Sequence, residues 1–342
     1  MRSLWGRAPF QFELRELPTP EPGPGEVVVK VTACGICGTD LHFLRHNREW
    51  TPMGHEVVGT IASVGVGVTR WQGGEPVIVE NHTACGVCEP CKNGRALYCR
   101  SLTSYMADRA GFADCLRVRE DMVQRYDATA LKPQQAALAE PLTVALDLLQ
   151  RADPDFNDEV AVFGPGAIGL MLVRLAKLRG ARRVFLTAAN RSTPRSRHRL
   201  EVGRQMGADV LLTETEDDVV ATIKAAAPHG VDRVLVTAPP RTLPLACEIA
   251  RFGAIIGLIG IEFGEGGEVT LDVNAFHFKK LQLRASHAIP NHYFPIALDL
   301  LARRTIDPDL LLSHVFPLDD FESAFRILAD PQQATVKIAL LP

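Results

Sequence analysis

The run Gly164-Pro165-Gly166-Ala167-Ile168-Gly169 constrains this chain more than any other stretch, because of what flanks it. Val160-Ala161-Val162-Phe163 precedes it as a short apolar run of strand type, and an amphipathic stretch from Ala167 to Arg179 follows. Glycines at those positions permit a tight strand-to-helix turn and close backbone approach, and a helix N-terminus offers unpaired N–H groups to an anion. G-x-G-x-x-G alone is a weak sign; a strand before it and a helix after it give it meaning as a dinucleotide site. From Glu159 onward strands and helices alternate. Arg183–Leu186, Val210–Leu212, Arg233–Val236, Ala254–Ile259 and Leu281–Arg284 have strand character, and helical stretches lie between them. That alternation implies a parallel sheet covered on both faces.

The first 150 or so residues have a different texture. Pro and Gly punctuate short Val-rich runs at Glu26–Val31, Val57–Ile61 and Pro76–Val79, and helical periodicity is scarce before Gln134–Arg151. The last fifty residues carry helices around Tyr293–Arg304 and Leu318–Ala329 and a terminal strand, Thr335–Leu341. A length of 342 residues suits about two domains at roughly 150 residues each. The expected division is residues 1–148 with 290–342 as a β-rich domain, and 149–289 as an inserted α/β domain. Periodicity does not say where the C-terminal segment docks.

Six of the eight cysteines fall in two clusters. Cys85, Cys88, Cys91 and Cys99 place four thiols within fifteen residues, and two-residue spacings let a loop wrap one tetrahedral ion. The spacing does not match the common ferredoxin pattern, and four sulfur ligands leave no open position, so a structural zinc in a lobe over residues 81–100 is expected. Such clustering points to metal in a reducing, cytosolic compartment rather than to a secreted disulfide scaffold. The second cluster, Cys34-Gly-Ile-Cys37-Gly-Thr39-Asp40-Leu-His42, lies upstream of Gly54-His55-Glu56 and far upstream of Ala139-Glu140-Pro141-Leu142. Each motif alone is weak. Cys34 and Cys37 read alternatively as a thioredoxin-like redox pair, but the fitting strand-to-helix context is lacking.

Taken together and in this order, these motifs resemble the zinc-dependent medium-chain dehydrogenase family. CGICGTDLH, GHEVVG, the four-cysteine lobe and the dinucleotide motif extend the resemblance over essentially the whole chain. The AEPL motif carrying Glu140 resembles the sorbitol, threonine and glucose dehydrogenase-like branch. The resemblance implies an α/β fold, with a β-rich GroES-like catalytic domain and an inserted Rossmann domain built on a doubly wound parallel sheet. It implies a catalytic zinc held by Cys37, His55 and Glu56, with Glu140 as fourth ligand or as partner to a zinc-bound water. Glu56 and Glu140 then exchange in and out of the shell. The Thr39 hydroxyl would bond the substrate oxygen, and His42 would relay the proton through the cofactor ribose. The plainer readings are a helix-capping carboxylate for Glu140 and a solvated ring for His42. Cys34 has no family role and is expected to pack. One thiolate, one imidazole and carboxylates leave zinc more Lewis-acidic than a four-sulfur site, which suits deprotonation of an alcohol. Backbone at Thr237, Ala238, Ile259 and Gly260 would meet the nicotinamide, and Ser286 would close over it; His287 is a weaker pocket candidate.

Charge separates the rival partners. Lys plus Arg total 37 against 40 Asp plus Glu, a formal net charge of −3, so no general basic excess exists to neutralise a nucleic acid. No apolar run is long enough for a membrane span, and the N-terminus has no signal-peptide h-region. Between Arg174 and Arg204, however, ten Lys/Arg face one acid, Glu201. NAD-specific sites use an acid on the ribose 2′-hydroxyl at the end of the second strand. This chain reads Thr187-Ala188-Ala189-Asn190-Arg191-Ser192 there and continues through a long basic loop. NADP is therefore expected ahead of NAD, through some of Asn190, Arg191, Ser192, Arg195 and Arg197; the alternative is a solvated basic helix face. The expectation is a homodimer or homotetramer with two zinc ions per chain. It exchanges hydride between NADP or NAD and a secondary hydroxyl or ketone of a polyol, sugar or amino-alcohol. A primary-alcohol or aldehyde enzyme with the same machinery and a non-catalytic redox sensor are the rival readings. Two departures from the family pattern, Gly74-Glu75-Pro76-Val77 and a short connection between His42 and Gly54, bear on the substrate-pocket rim.

Overall fold

The computed structural model describes residues 1–106, 109, 111–262 and 264–342. The chain divides into two units. Met1–Thr143, Ile289–Ala329 and Lys337–Pro342 form the first, and Val144–Ala288 with Asp330–Val336 forms the second.

In the first unit the strand Glu26–Gly35 is central, and its β-branched run of valines suits a buried pleated position. The main sheet runs in the order Val123–Arg125, Pro76–Val79, Glu56–Val64, Glu26–Gly35, Lys337–Leu341, Leu312–Pro317, with Cys115–Arg119 also paired to the central strand. Register across that strand sets Gly35 opposite Glu56 on one side and opposite Ala339 on the other. A hairpin, Arg2–Arg7 and Gln11–Glu16, pairs in addition with Thr51–Pro52. Leu4, Leu44, Phe112, Leu116, Phe325 and Leu340 belong to one core beneath these strands.

The second unit is a six-stranded parallel sheet in the order Val210–Thr213, Arg183–Ala188, Glu159–Phe163, Val231–Val236, Ala250–Leu258, Gln282–Ala285. In sequence terms this is 3-2-1-4-5-6. The winding reverses between Glu159–Phe163 and Val231–Val236, and ligands of open α/β sheets bind outside the strand ends at such a reversal.

The structure corrects several details of the sequence reading. The single helix expected over Gln134–Arg151 is two, Pro133–Ala136 and Ala139–Ala152. Pro141 has no N–H to donate to the Ala137 carbonyl, so the helical ladder breaks before it. The terminal strand starts at Lys337 rather than Thr335, and Asp330–Val336 belongs to the second unit. Basic side chains hold that segment: the Arg195 guanidinium donates to the Asp330 carbonyl and the Arg199 Nε to the Thr335 carbonyl at 2.7 Å. The unit boundary falls at Thr143/Val144 instead of 148/149. The N-terminal hairpin and the strand Leu312–Pro317 are elements the sequence reading did not assign. Among the described residues no helix is long and apolar enough to cross a membrane.

Candidate functional site

The central strand of the first unit ends at Gly35 and the helix Gly38–His46 starts three residues later, with Cys37 as its N-cap residue. A strand-to-helix setting is therefore present around Cys34-x-x-Cys37, against the expectation from sequence. The two cysteines nevertheless part company. Cys34 is fully buried in the core, and burial pushes its thiol well above the usual range, with Glu56 and Asp40 adding to the effect. Cys37 is only partly buried and has its thiol 3.7 Å from the Thr39 Oγ1. The Asp40 carboxylate accepts the Cys37 N–H at 2.8 Å and fixes the turn.

Glu56 opens the neighbouring strand, His55 immediately precedes it, and both meet Cys37 at this turn. One donor atom each from Cys37, His55 and Glu56 lies within 4.8 Å of the other two. His55 Nδ1 is buried without a hydrogen bond, the Asp40 carboxylate being 3.7 Å away, and Glu56 Oε2 is likewise unpartnered. Unsatisfied buried polar atoms are rare in native proteins, and a thiol, an imidazole and a carboxylate gathered this closely fit a zinc ion. Electrostatics agree. Burial works against a charged His55, yet Cys37 and Asp40 outweigh it and hold the imidazole well above its usual range. Glu140, in the first turn of Ala139–Ala152, is pushed up to about 7 by burial, eased by His55. A pocket this rich in buried acids favours a cation.

Glu140 itself lies outside the 4.8 Å cluster. Its Oε1 accepts from Asn81 Nδ2 at 2.9 Å, and the Asn81 Oδ1 is 3.1 Å from His82 Nδ1. His82 is in turn tied to Asn291, whose Oδ1 accepts the His82 N–H at 2.9 Å. Sequence reasoning missed Asn81, Tyr105 and Lys337. The Tyr105 hydroxyl donates to the His55 carbonyl at 3.2 Å. Lys337 Nζ forms a short, buried ion pair with Glu56 Oε1. Burial alone would lower the Lys337 ammonium, but Glu56 and Cys37 turn the shift upward. Gly35 makes this pair possible, since a Cβ there would overlap Glu56 Oε2. The only sequence signal for Lys337 was a cation inside an apolar strand. His42 sits one helical turn beyond Thr39, its ring 6.3 Å from that of His46 and nearly parallel to it.

Cys85, Cys88, Cys91 and Cys99 converge on one point, all four sulfurs within 4.8 Å of one another. Sulfurs about 2.3 Å from a tetrahedral ion stand roughly 3.8 Å apart, and Cys88 lies 3.4 Å from Cys91 and 3.8 Å from Cys99. Backbone N–H groups of Arg100 and Cys91 hold the Cys88 thiol down to about 6, and the Cys85 N–H lowers Cys99. Thiolates favoured at Cys88 and Cys99 suit a zinc ion.

In the second unit the glycine-rich turn has the shape its sequence implies. Gly164 has φ +98°, and a Cβ on Gly169 would collide with the Gly164 carbonyl. Nothing lies within 4 Å of a Cβ built on Gly166, which N-caps the helix Ala167–Leu178 without a side-chain cap. That open space beside uncapped N–H groups fits a pyrophosphate. Pro165 completes the turn, and Ile168 lies in the first turn of the helix. The neighbouring strand ends are knitted to it. Thr237 Oγ1 donates to the Phe163 and Gly164 carbonyls at 2.8 and 3.0 Å, and the Ala238 N–H reaches the Phe163 carbonyl at 2.9 Å. Ile259 and Gly260 N–H groups both reach Val236. Ser286 Oγ donates at 2.6 Å to Asp147, a buried acid the sequence reading did not single out, while His287 is exposed. In the basic loop, Asn190 Oδ1 accepts the Ser192 N–H and hydroxyl at 3.0 and 2.6 Å. Arg191 pairs with Asp217 at 2.8 Å, Arg195 is committed to Asp330, and Arg197 donates to the Arg191 and Ser192 carbonyls.

A zinc-type donor set in a β-rich unit and a dinucleotide turn in a doubly wound one define a dehydrogenase architecture. Residues 23–128 match the alcohol dehydrogenase GroES-like domain and residues 167–303 the zinc-binding dehydrogenase domain. L-Threonine 3-dehydrogenase of Pyrococcus horikoshii is 32% identical over 93% of this chain and 92% of its own length. A short chain alcohol dehydrogenase from E. coli CFT073, complexed with NADH, superposes with a TM-score of 0.88 at 28% identity, covering 100% of this chain and 99% of that one. A zinc-binding dehydrogenase from Sinorhizobium meliloti 1021 bound to NADP gives the same values. The chain belongs to the zinc-dependent medium-chain dehydrogenase family and is an oxidoreductase.

Proposed function

We propose that this enzyme interconverts a secondary hydroxyl and a ketone on a polyol, sugar or amino-alcohol, preferring NADP to NAD. The observation that carries the reading is the meeting of Cys37 with the buried His55 and Glu56 beside Thr39, with Glu140 close enough for His55 to shift its titration. Cys37, His55 and Glu56 would hold a zinc ion, with Glu140 as fourth ligand or partner to a water there; Cys85, Cys88, Cys91 and Cys99 would hold a second, structural one. Zinc supplies the Lewis acidity that makes an alcohol easier to deprotonate, and the nicotinamide supplies the hydride acceptor. The chain's own residues do the rest. Thr39 bonds the substrate oxygen and His42 passes the proton on. Asn81 aims Glu140, and Lys337 pairs with Glu56. The threonine dehydrogenase relative and the Glu140 motif support a secondary hydroxyl.

NADP preference rests on the absence of an acid at the end of Arg183–Ala188 and on the Asn190–Arg197 loop. Ser192, Asn190 and Arg197 would meet the 2′-phosphate, and Arg191 would exchange Asp217 for it; Arg195 is occupied with Asp330. The measurement is kcat/KM with NADP+ against NAD+ on a panel of polyols, amino-alcohols and simple alcohols. A tenfold or greater preference for NAD+ sinks the cofactor assignment, and exclusive use of primary alcohols sinks the substrate class. Cytoplasmic residence is proposed too, since reduced thiols persist there. A homodimer or homotetramer is also proposed. The sheet-edge strand Gln282–Ala285 with exposed Leu283, and exposed Val273 and Phe278, supports association, which light scattering reads directly.

A further inference from the structure

Four basic side chains meet in a cleft of about 590 Å³ in the first unit. Arg45, His46 and Arg48 come from the end of the Gly38–His46 helix and the residues after it, and Arg7 comes from the N-terminal hairpin. No carboxylate is among the described residues that line it. Basic residues in a last helical turn complement the helix dipole, which accounts for Arg45 and His46. It does not account for Arg7. The fold brings Arg7 there: the hairpin turn is clamped to the helix end by the Ala8 N–H on the Asn47 carbonyl at 2.6 Å and the Phe10 N–H on the Leu44 carbonyl at 2.9 Å. The Arg7 guanidinium is then held in place by Gln11, which accepts from its Nε at 2.7 Å, and by the Trp50 ring 4.5 Å away.

Arg45 and Arg48 are exposed and have no carboxylate or carbonyl partner among the described residues. Arg2, Arg119 and Arg125 of the same unit each face an acid. Like charges gathered without a counter-charge repel, and the arrangement is relieved when an anion enters. Guanidinium forks match the oxygens of a phosphate and bind it bidentately. We infer that this cleft is a subsite for the phosphate group of a small molecule, held by Arg7, Arg45 and Arg48.

The phosphate has two possible sources, the substrate itself or a separate small anion. The cleft adjoins the proposed relay, since His46 is stacked on His42. The substrate-borne version rests on the function proposed above; the anion site does not. The test titrates inorganic phosphate into the zinc-loaded enzyme at constant ionic strength, by calorimetry, against the R45S/R48S variant. Both positions are exposed, so the variant is expected to melt with the wild type. Saturable binding that weakens about tenfold or more in the variant supports the subsite. No saturable binding, or equal affinity in both proteins, overturns it.

Steady-state kinetics with a hexitol and its 6-phosphate then identify the source. A KM for the phosphate ester that rises about tenfold in R45S/R48S, with kcat and the hexitol KM unchanged, assigns the phosphate to the substrate. Unchanged KM values with lost phosphate binding assign it to a separate anion. Turnover of neither hexitol counts against the proposed substrate class, while the phosphate titration still decides the subsite by itself.

Discussion

Replacing Lys337 with Met isolates the ion pair beside the proposed metal centre. Met keeps the length and apolar character of the lysine stem, so the change removes little besides the charge. The Glu56 side chain is 0% exposed and that of Lys337 only 7%, so water screens neither. Breaking a buried pair by removing one partner costs about 3–5 kcal/mol, because the other charge stays buried and unpaired. The double variant K337M/E56Q removes both charges and should recover at least about 2 kcal/mol of that loss. Urea unfolding of metal-free protein, followed by tryptophan fluorescence, reads the right part of the molecule, since Trp5, Trp50 and Trp71 all lie in the first unit. The pair also has a pH signature. The Lys337 ammonium is held above its ordinary value of 10.5. Its contribution is therefore complete below that value and is lost as pH rises through the higher folded one. A K337M cost below about 1 kcal/mol at pH 7, or a double variant no more stable than the single, refutes the reasoning.

Three further outcomes follow from the same structure. Gly166→Ala should leave the melting temperature of the second unit unchanged while weakening dinucleotide binding. Gly169→Ala should lower stability outright, because its Cβ meets the Gly164 carbonyl; calorimetry and cofactor titration separate the two. Glu80, pushed up to about 7 by burial, is stabilising as the neutral acid, so stability declines from pH 4.5 to about 7 as it ionises. Glu80→Gln should remove that decline and gain up to about 3 kcal/mol above pH 7, at 1.36 kcal/mol per unit, with no gain below pH 4.5. Chelation of the four-cysteine lobe, or Cys88→Ser, should expose the 85–99 loop to protease at a rate that excess zinc reverses only in the wild type.

Much of this protein was legible because its signals are local. The turn Gly164–Gly169 declares itself through six adjacent residues and their flanks, and Cys85, Cys88, Cys91 and Cys99 through spacings a single loop can close. Cys37, Thr39 and His42 share one strand end and helix, and His55 and Glu56 are neighbours, so these too follow from short-range pattern. The parallel sheet of the second unit was readable from strand–helix alternation, since each strand buries its own apolar run.

What the pattern left open is what long-range pairing decides. Lys337 and Glu56 lie 281 residues apart, and only the pairing of Lys337–Leu341 and Glu56–Val64 on either side of Gly35 brings their charges together. Asn81 acquires its role from a helix that begins at Ala139, and Arg7 reaches Arg45 and Arg48 only through the hairpin. The basic block that looked like one phosphate surface is divided by the fold, with Arg195 and Arg199 spent on holding Asp330–Val336. Sequence thus determined which chemical groups this protein carries and the short elements that present them. Tertiary structure alone decided which of those groups neutralise one another and which stay open to a ligand, because a buried charge takes its meaning from the partner facing it rather than from its neighbours in the chain.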